Sequence, residues 1–216
     1  MTRLNATTRE LAAFLRACST DQIGLERIKT VYRPYICPFD ELIGLFEGNN
    51  FSVFDVGCGS GVFLKLLRKF SNATALTGVD IDAAVIAKAR AFAGNDLISF
   101  HQYNGFDLPA QVKDFEYVTM IDVLHHIPVD QKSSFMEKLH ASMSAGSRLI
   151  LKDIDADEVP WVYFNKLHDR MLAGEAGSEL SLTQTRRLLE ETGFRIRSQS
   201  SRRMAWYPHF TLVCEK

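Results

Sequence analysis

The chain has 216 residues, 46% of them hydrophobic and 24% charged, with a formal net charge of -1; this suits one α/β domain, or one domain with a short helical extension. The near-neutral balance speaks against a phosphate-tracking surface, so a nucleic-acid partner is not expected. Cys18, Cys37, Cys58 and Cys214 are scattered, with no C-x-x-C pair, which argues against a zinc site or a disulfide framework.

The first stretch, up to about Glu47, reads as helical. Leu11, Phe14, Leu15 and Cys18 recur at helical spacing, as do Leu25, Ile28 and Tyr32. Arg33-Pro34 and Cys37-Pro38 should break this stretch, because a residue before proline avoids the helical conformation. Leu42, Ile43, Leu45 and Phe46 read as one more short helix closed by Gly48. Residues 1–48 are therefore expected to form an N-terminal helical cap or lid, and residues 49–216 the ligand-binding domain. Arg3, Arg9 and Glu10 interrupt any early apolar run, and no stretch is long and apolar enough to span a bilayer, so a cytoplasmic location is expected.

From Phe51 the rhythm changes to strand and helix in alternation. Strands are expected over Phe51–Val56, Ala75–Val79, Leu97–Gln102, Phe115–Ile121 and Ser147–Lys152. Helices are expected over Val62–Phe70, Ala83–Phe92, Asp130–Met143, Trp161–Leu172 and Thr183–Thr192. Such alternation argues for a mostly parallel sheet with helices on both faces. Two final strands, Phe194–Ser200 and Tyr207–Cys214, have no helical pattern between them. A short link allows only an antiparallel pair. The expected fold is thus α/β and Rossmann-like, with one reversed strand near the sheet edge.

In an open α/β sheet, ligands bind beyond the carboxyl ends of the strands. The first strand ends in Asp55-Val56-Gly57-Cys58-Gly59-Ser60-Gly61. Its glycines allow a sharp turn and close approach of a ligand. The helix that follows offers free N–H groups and a positive dipole end to an anionic or polar group. The second strand ends in Gly78-Val79-Asp80-Ile81-Asp82. Asp80 reads as an acceptor for two ribose hydroxyls; its competing role is a helix N-cap, which Asp82 fits better because the helical residues begin at Ala83. The spacing G-x-G-x-G differs from the G-x-G-x-x-G dinucleotide fingerprint. Asp55, before the first glycine, either meets the ammonium of an amino-acid ligand or braces the loop backbone.

These segments resemble the class I S-adenosylmethionine-dependent methyltransferases. Val53 to Gly61 is similar to that family's first motif and Gly78 to Asp82 to its second. Asp122-Val123-Leu124-His125-His126-Ile127-Pro128 is similar to the segment after the fourth strand in its small-molecule branch. The resemblance implies a seven-stranded sheet with the last strand antiparallel, and S-adenosylmethionine as methyl donor. It implies that Gly57, Gly59 and Gly61 line the methionine part of the cofactor, that Asp80 holds the ribose and that Ile81 packs on the adenine, with Ile121 at the end of the fourth strand joining this set. Many relatives carry an acid after the third strand; aligning on Leu108-Pro109 puts Asn104 there, with Gly105 supplying no side chain and Phe106 able to cover the adenine. Asn104 serves equally well as a turn residue.

Methyl transfer needs the acceptor held in line and, for some acceptors, its proton removed. His125 and His126 follow the fourth strand, and Asp153 and Asp155 end the fifth; His125 and Asp153 are candidate catalytic residues, with framework roles as the alternative. In the segment from Trp161 to Asp169, spacing puts Asn165, His168 and Asp169 on one helix face. His168 is there a candidate base and Trp161 and Asn165 candidate substrate contacts. Tyr32 and Arg33 in the N-terminal cap, and Tyr207 at the start of the last strand, are further candidates for contacting ligand. The leading expectation is a methyltransferase for a small apolar or aromatic acceptor. A nicotinamide-dependent oxidoreductase calls for the longer glycine spacing, and a non-catalytic cofactor-binding module remains the third reading.

Overall fold

A capping box starts the first helix: Thr7 Oγ1 accepts from the Glu10 N–H at 3.3 Å while the Glu10 carboxylate accepts from the Thr7 N–H at 2.8 Å. Helix α1 (Thr8–Cys18) buries Leu11 and Leu15 completely. The computed structural model describes residues 6–48, 50–157 and 178–216. Helix α2 (Gly24–Ile36) runs through Pro34, contrary to the expected break at Arg33-Pro34. Pro34 stands in the last turn, where a missing N–H costs one bond only, and its ring is buried. The break falls instead at Cys37, extended at φ -136 and ψ 131 as the residue before Pro38. Helix α3 (Phe39–Ile43) follows.

The chain divides into two compact units, one up to Gln102 and one from Tyr103. In the first, the N-terminal helices do not stand apart. Phe14 meets Phe70 edge-on at 5.4 Å, Phe39 stacks on Phe63 at 5.6 Å and Phe46 stacks on Phe51 at 5.0 Å. Offset and edge-on ring pairs of this kind add to the area they bury. They fasten α1 and the α3 region to β1 (Phe51–Val56) and α4 (Val62–Phe70). Strand β2 (Ala73–Asp80), helix α5 (Ala83–Ala93) and strand β3 (Ile98–Gln102) complete this unit. Both strand pairs are parallel, with Asp55 opposite Gly78 and Asp80 opposite Gln102. Parallel neighbours require crossovers, which α4 and α5 provide.

The second unit holds β4 (Tyr117–Ile121), α6 (Lys132–Ser142), β5 (Arg148–Ile154), α7 (Leu182–Glu191), β6 (Arg195–Met204) and β7 (Tyr207–Glu215). Strands β4 and β5 are parallel; β7 is antiparallel to both β5 and β6. The seven strands form the mixed sheet expected, ordered β3-β2-β1 in the first unit and β4-β5-β7-β6 in the second. The reversed strand is therefore one in from the edge, and β6 is the edge.

Met204 pairs with Tyr207, so Ala205 and Trp206 alone link β6 to β7. Ala205 is exposed and adopts φ 54, a left-handed conformation that strains an L-residue. Ala205→Gly is expected to raise stability by about 1 kcal/mol. A lower urea midpoint in the variant would contradict this.

Candidate cofactor and catalytic site

The glycine loop is shaped by β2. The Val79 carbonyl accepts from both Gly57 N–H at 2.8 Å and Cys58 N–H at 2.9 Å, which folds the chain back at the end of β1. Gly57, Gly59 and Gly61 adopt φ 71, 53 and 76, a region open mainly to glycine. Gly61 is the N-cap of α4, so no side chain caps the first turn of that helix. A Cβ at Gly61 would lie 2.7 Å from Phe100 Cζ, whereas one at Gly59 meets nothing within 4 Å. The two glycines thus serve different ends: Gly61 lets the helix close on Phe100, and Gly59 leaves the loop open on its outer side. Gly61→Ala is expected to cost about 2–4 kcal/mol in overpacking and backbone strain. Gly59→Ala should cost about 1 kcal/mol. Denaturant unfolding of both variants checks this, and equal losses would refute the division.

Asp80 holds the same loop from β2. Its Oδ2 accepts from the Gly59 N–H at 3.0 Å and its Oδ1 from the Asp82 N–H at 3.1 Å. Asp82 is the cap of α5, accepting from the Ala84 N–H at 2.7 Å and the Val85 N–H at 3.3 Å. The N-cap role therefore falls to Asp82, as its position before Ala83 suggests. Each Asp80 oxygen spends one acceptor site on the backbone and keeps lone-pair capacity for a further donor. Ile81 beside it is 60% exposed, a large apolar side chain at the strand end. Asp55 is buried at the end of β1. Burial, reinforced by the charges of Asp55 and Asp80, pushes the Cys58 thiol far above its ordinary range. Cys58 is thus an inert filler, and Gly78 makes room for it: a Cβ there would lie 2.7 Å from that of Cys58.

An amino-acid-bearing nucleoside fits these residues. The loop has an open side at Gly59, an uncapped helix start at α4, a buried acid at Asp55 and a half-exposed acid at Asp80. Those are partners for a carboxylate, an ammonium and a ribose.

The second unit carries a buried His–Asp pair. His125 Nδ1 lies 2.5 Å from Asp153 Oδ1, with both side chains about 5% exposed or less. The His125 N–H also donates to Asp153 Oδ2 at 3.1 Å, and the Ile154 N–H to Oδ1 at 2.8 Å. An ionised Asp153 is acceptor-only, so it selects the tautomer with the proton on Nδ1 and the basic lone pair on Nε2. His126 is exposed, its ring 4.0 Å from that of His125. Nearby, Asp122 adopts φ 57 at the end of β4 and pairs through Oδ1 with the buried Lys152 Nζ. A non-glycine residue held in that conformation marks a place where the surroundings fix the backbone.

The remaining candidates divide. Asn104 Oδ1 accepts from the Phe106 N–H at 2.9 Å and the Asp107 N–H at 2.7 Å, and its amide donates to Asp107. Both lone pairs of its oxygen are taken by the turn, which is the second of the two roles read for Asn104. Gly105 adopts φ 83 in that turn. One face of the Phe106 ring carries the Lys138 ammonium, 3.2 Å from the centroid. Ile121 ends β4 half-buried, and Tyr207 is buried and stacked on His209 at 5.9 Å. Tyr32 is 55% exposed on α2 and Arg33 is half-buried. Trp161, Asn165 and His168 lie outside the described residues. Two buried lysines at the second unit's site, Lys132 and Lys152, escaped the sequence reading, since a lysine in a helix or strand reads as a solvated charge. Among the described residues, no helix is long and apolar enough to cross a membrane, and no group of three or more His, Cys, Asp or Glu side chains is arranged to hold a metal ion.

Comparison with known proteins identifies the family. Residues 9–199 match the family model of the methyltransferase domain. The mitochondrial ubiquinone biosynthesis O-methyltransferase of Candida albicans is 28% identical over 122 residues, 54% of this chain and 36% of that protein. The carboxy-S-adenosyl-L-methionine synthase of Campylobacter fetus is 24% identical over 163 residues, 73% of this chain and 70% of that protein. The chain therefore spans well under half the length of the first relative. The magnesium protoporphyrin IX methyltransferase of Synechocystis, solved with the demethylated cofactor bound, shares the fold at a TM-score of 0.67 and 19% identity, covering 99% of this chain and 96% of that one. With the domain model spanning most of its length, the chain belongs to the class I S-adenosylmethionine-dependent methyltransferase family.

Proposed function

We propose that this chain transfers a methyl group from S-adenosylmethionine to a small apolar or aromatic acceptor bearing an O–H or N–H group. The observation that carries the reading is the Asp80 carboxylate, which fastens Gly59 at 3.0 Å while the glycine's outer side stays open. When bound, the cofactor supplies an electrophilic methyl group on a sulfonium that is already a good leaving group. In this reading Gly57, Gly59 and Gly61 line the methionine part and Asp55 meets its ammonium. Asp80 takes the ribose hydroxyls, Ile81 packs on the adenine, and Ile121, Gly105 and Phe106 border the base. His125, oriented by Asp153, receives the acceptor's proton at Nε2, which makes the oxygen or nitrogen nucleophilic. That role selects acceptors with a proton to lose. Tyr32, Arg33 and Tyr207 are proposed to contact the ligands, with residues 1–48 serving as a cap. The four cysteines are free thiols, three of them buried, which suits a reducing cytoplasm.

Calorimetry with S-adenosylmethionine, its demethylated product and NAD tests the cofactor: binding of NAD alone would overturn the reading. Radiolabelled S-adenosylmethionine in a cell extract tests the transfer, and absence of labelled product would sink it. The carboxy-S-adenosylmethionine synthase relative motivates one further readout, the mass of the recovered cofactor. A cofactor gaining a carboxyl group, with no acceptor labelled, would replace the proposed reaction.

A further inference from the structure

We propose that Lys132 is a positioning residue for the His125–Asp153 pair, its buried ammonium clamping the carbonyls on either side of His125. The inference rests on reading His125 as the base. Lys132 Nζ donates to the Leu124 carbonyl, just before His125, and to the Ile127 carbonyl at 2.7 Å, just after His126. The His125 carbonyl between them accepts from the Ser178 N–H at 2.9 Å, and the Ser178 hydroxyl donates to the Ile127 carbonyl at 3.1 Å. Three carbonyls of one short turn are thus held by two residues from elsewhere in the chain, and the imidazole hangs from that turn.

The choice of lysine is what points beyond simple packing. Lys132 is 2% exposed, and taking an ammonium out of water is costly. It is also the first residue of α6, at the positive end of the helix dipole, where a cation is disfavoured. A neutral donor could bridge the carbonyls without either penalty. The offsetting charges are Asp153, from β5, and Glu179, beside Ser178; both favour the ammonium, while burial works against it and holds Lys132 below the usual lysine range. Lys132 thus couples the turn that carries His125 to the carboxylate that orients it. Its charge opposes protonation of the imidazole, whereas the Asp153 carboxylate beside Nδ1 favours it, and His126 is the other titratable group on the turn.

The test needs no acceptor. Nitrogen-15 histidine spectra of the full chain read the tautomer and titration midpoint of His125. In Lys132→Met, which keeps length and removes charge, the midpoint should rise by roughly one unit, the scale of one neighbouring charge inside a protein. The single Nδ1–H tautomer should give way to a mixture, and Lys132→Arg should restore both. Binding of S-adenosylhomocysteine should stay within about twofold, because Lys132 bonds to the Leu124 and Ile127 carbonyls and to none of the residues proposed to hold it. An unchanged tautomer and midpoint in Lys132→Met overturn the proposal. Should that variant not fold, the wild-type alkaline titration carries the test: the His125 ring resonances must move as Lys132 loses its proton, and unmoved resonances overturn it. The base reading fails separately, if His125→Gln keeps full methyl transfer while Lys132→Met still disturbs the ring.

Discussion

His125→Gln is expected to slow methyl transfer by about 10² to 10⁴ at saturating cofactor, the range typical of a lost general base. Glutamine keeps a polar side chain of similar reach but cannot take up a proton near neutrality. Because His125 is proposed to act on the acceptor, affinity for S-adenosylhomocysteine should be unaltered, and the loss should fall on kcat rather than on cofactor binding. Asp153→Asn should reproduce much of the defect while leaving the histidine in place. An amide at position 153 no longer selects the Nδ1–H tautomer, and it weakens acceptance from the His125 and Ile154 N–H groups at 3.1 and 2.8 Å. Single-turnover rates with preloaded cofactor measure this. Undiminished transfer in His125→Gln would reduce the buried pair to framework and leave positioning as the chain's main catalytic device.

Asp80→Ala should weaken S-adenosylhomocysteine binding by about 10² to 10³, read by calorimetry. Hydrogen bonds to a charged group contribute about 1.5–3 kcal/mol each, and two ribose hydroxyls are proposed to donate here. The same substitution releases the Gly59 N–H now held at 3.0 Å, so the loop loses its shape as well as its ligand partner. Asp80→Asn, which retains one acceptor, should lose less. Asp82→Ala is the contrasting control. It removes the α5 cap and should cost about 1 kcal/mol of stability with little change in affinity. If Asp80→Ala binds as well as the parent, the acid braces the loop and does nothing more.

The shape of the glycine loop was legible because backbone chemistry favours it. Positions 57, 59 and 61 adopt left-handed conformations that glycine enters at least cost, and the acid ending β2 holds the loop at Gly59. The buried His–Asp pair was legible only in pieces. His125 and Asp153 are separated by 28 residues, and each alone reads as ambiguous. Their meeting follows from register: parallel pairing sets Ile121 opposite Lys152, which brings the ends of β4 and β5 together. Sequence spacing carries no such register. Lys132 and Ser178 were hidden for the same reason, since their partners are main-chain carbonyls with no sequence signature. Asn104 had two readings of equal weight, and the turn reading is the one its side-chain bonds to Phe106 and Asp107 bear out. Pro34 misled because its effect depends on how much helix follows it.

The length of β6 was underestimated too, since its Arg, Ser and Gln residues lack the apolar alternation that marks a strand. That polarity has its own consequence. An edge strand presents unpaired N–H and C=O groups that invite another chain to extend the sheet. Along β6, Arg195, Arg197, Ser198, Gln199, Ser201 and Arg203 are exposed. Any strand docking there would have to strip water from several guanidinium groups before its first main-chain bond formed. The sheet thus carries its own stop signal against fibre growth, written in the residues that made the strand hard to read.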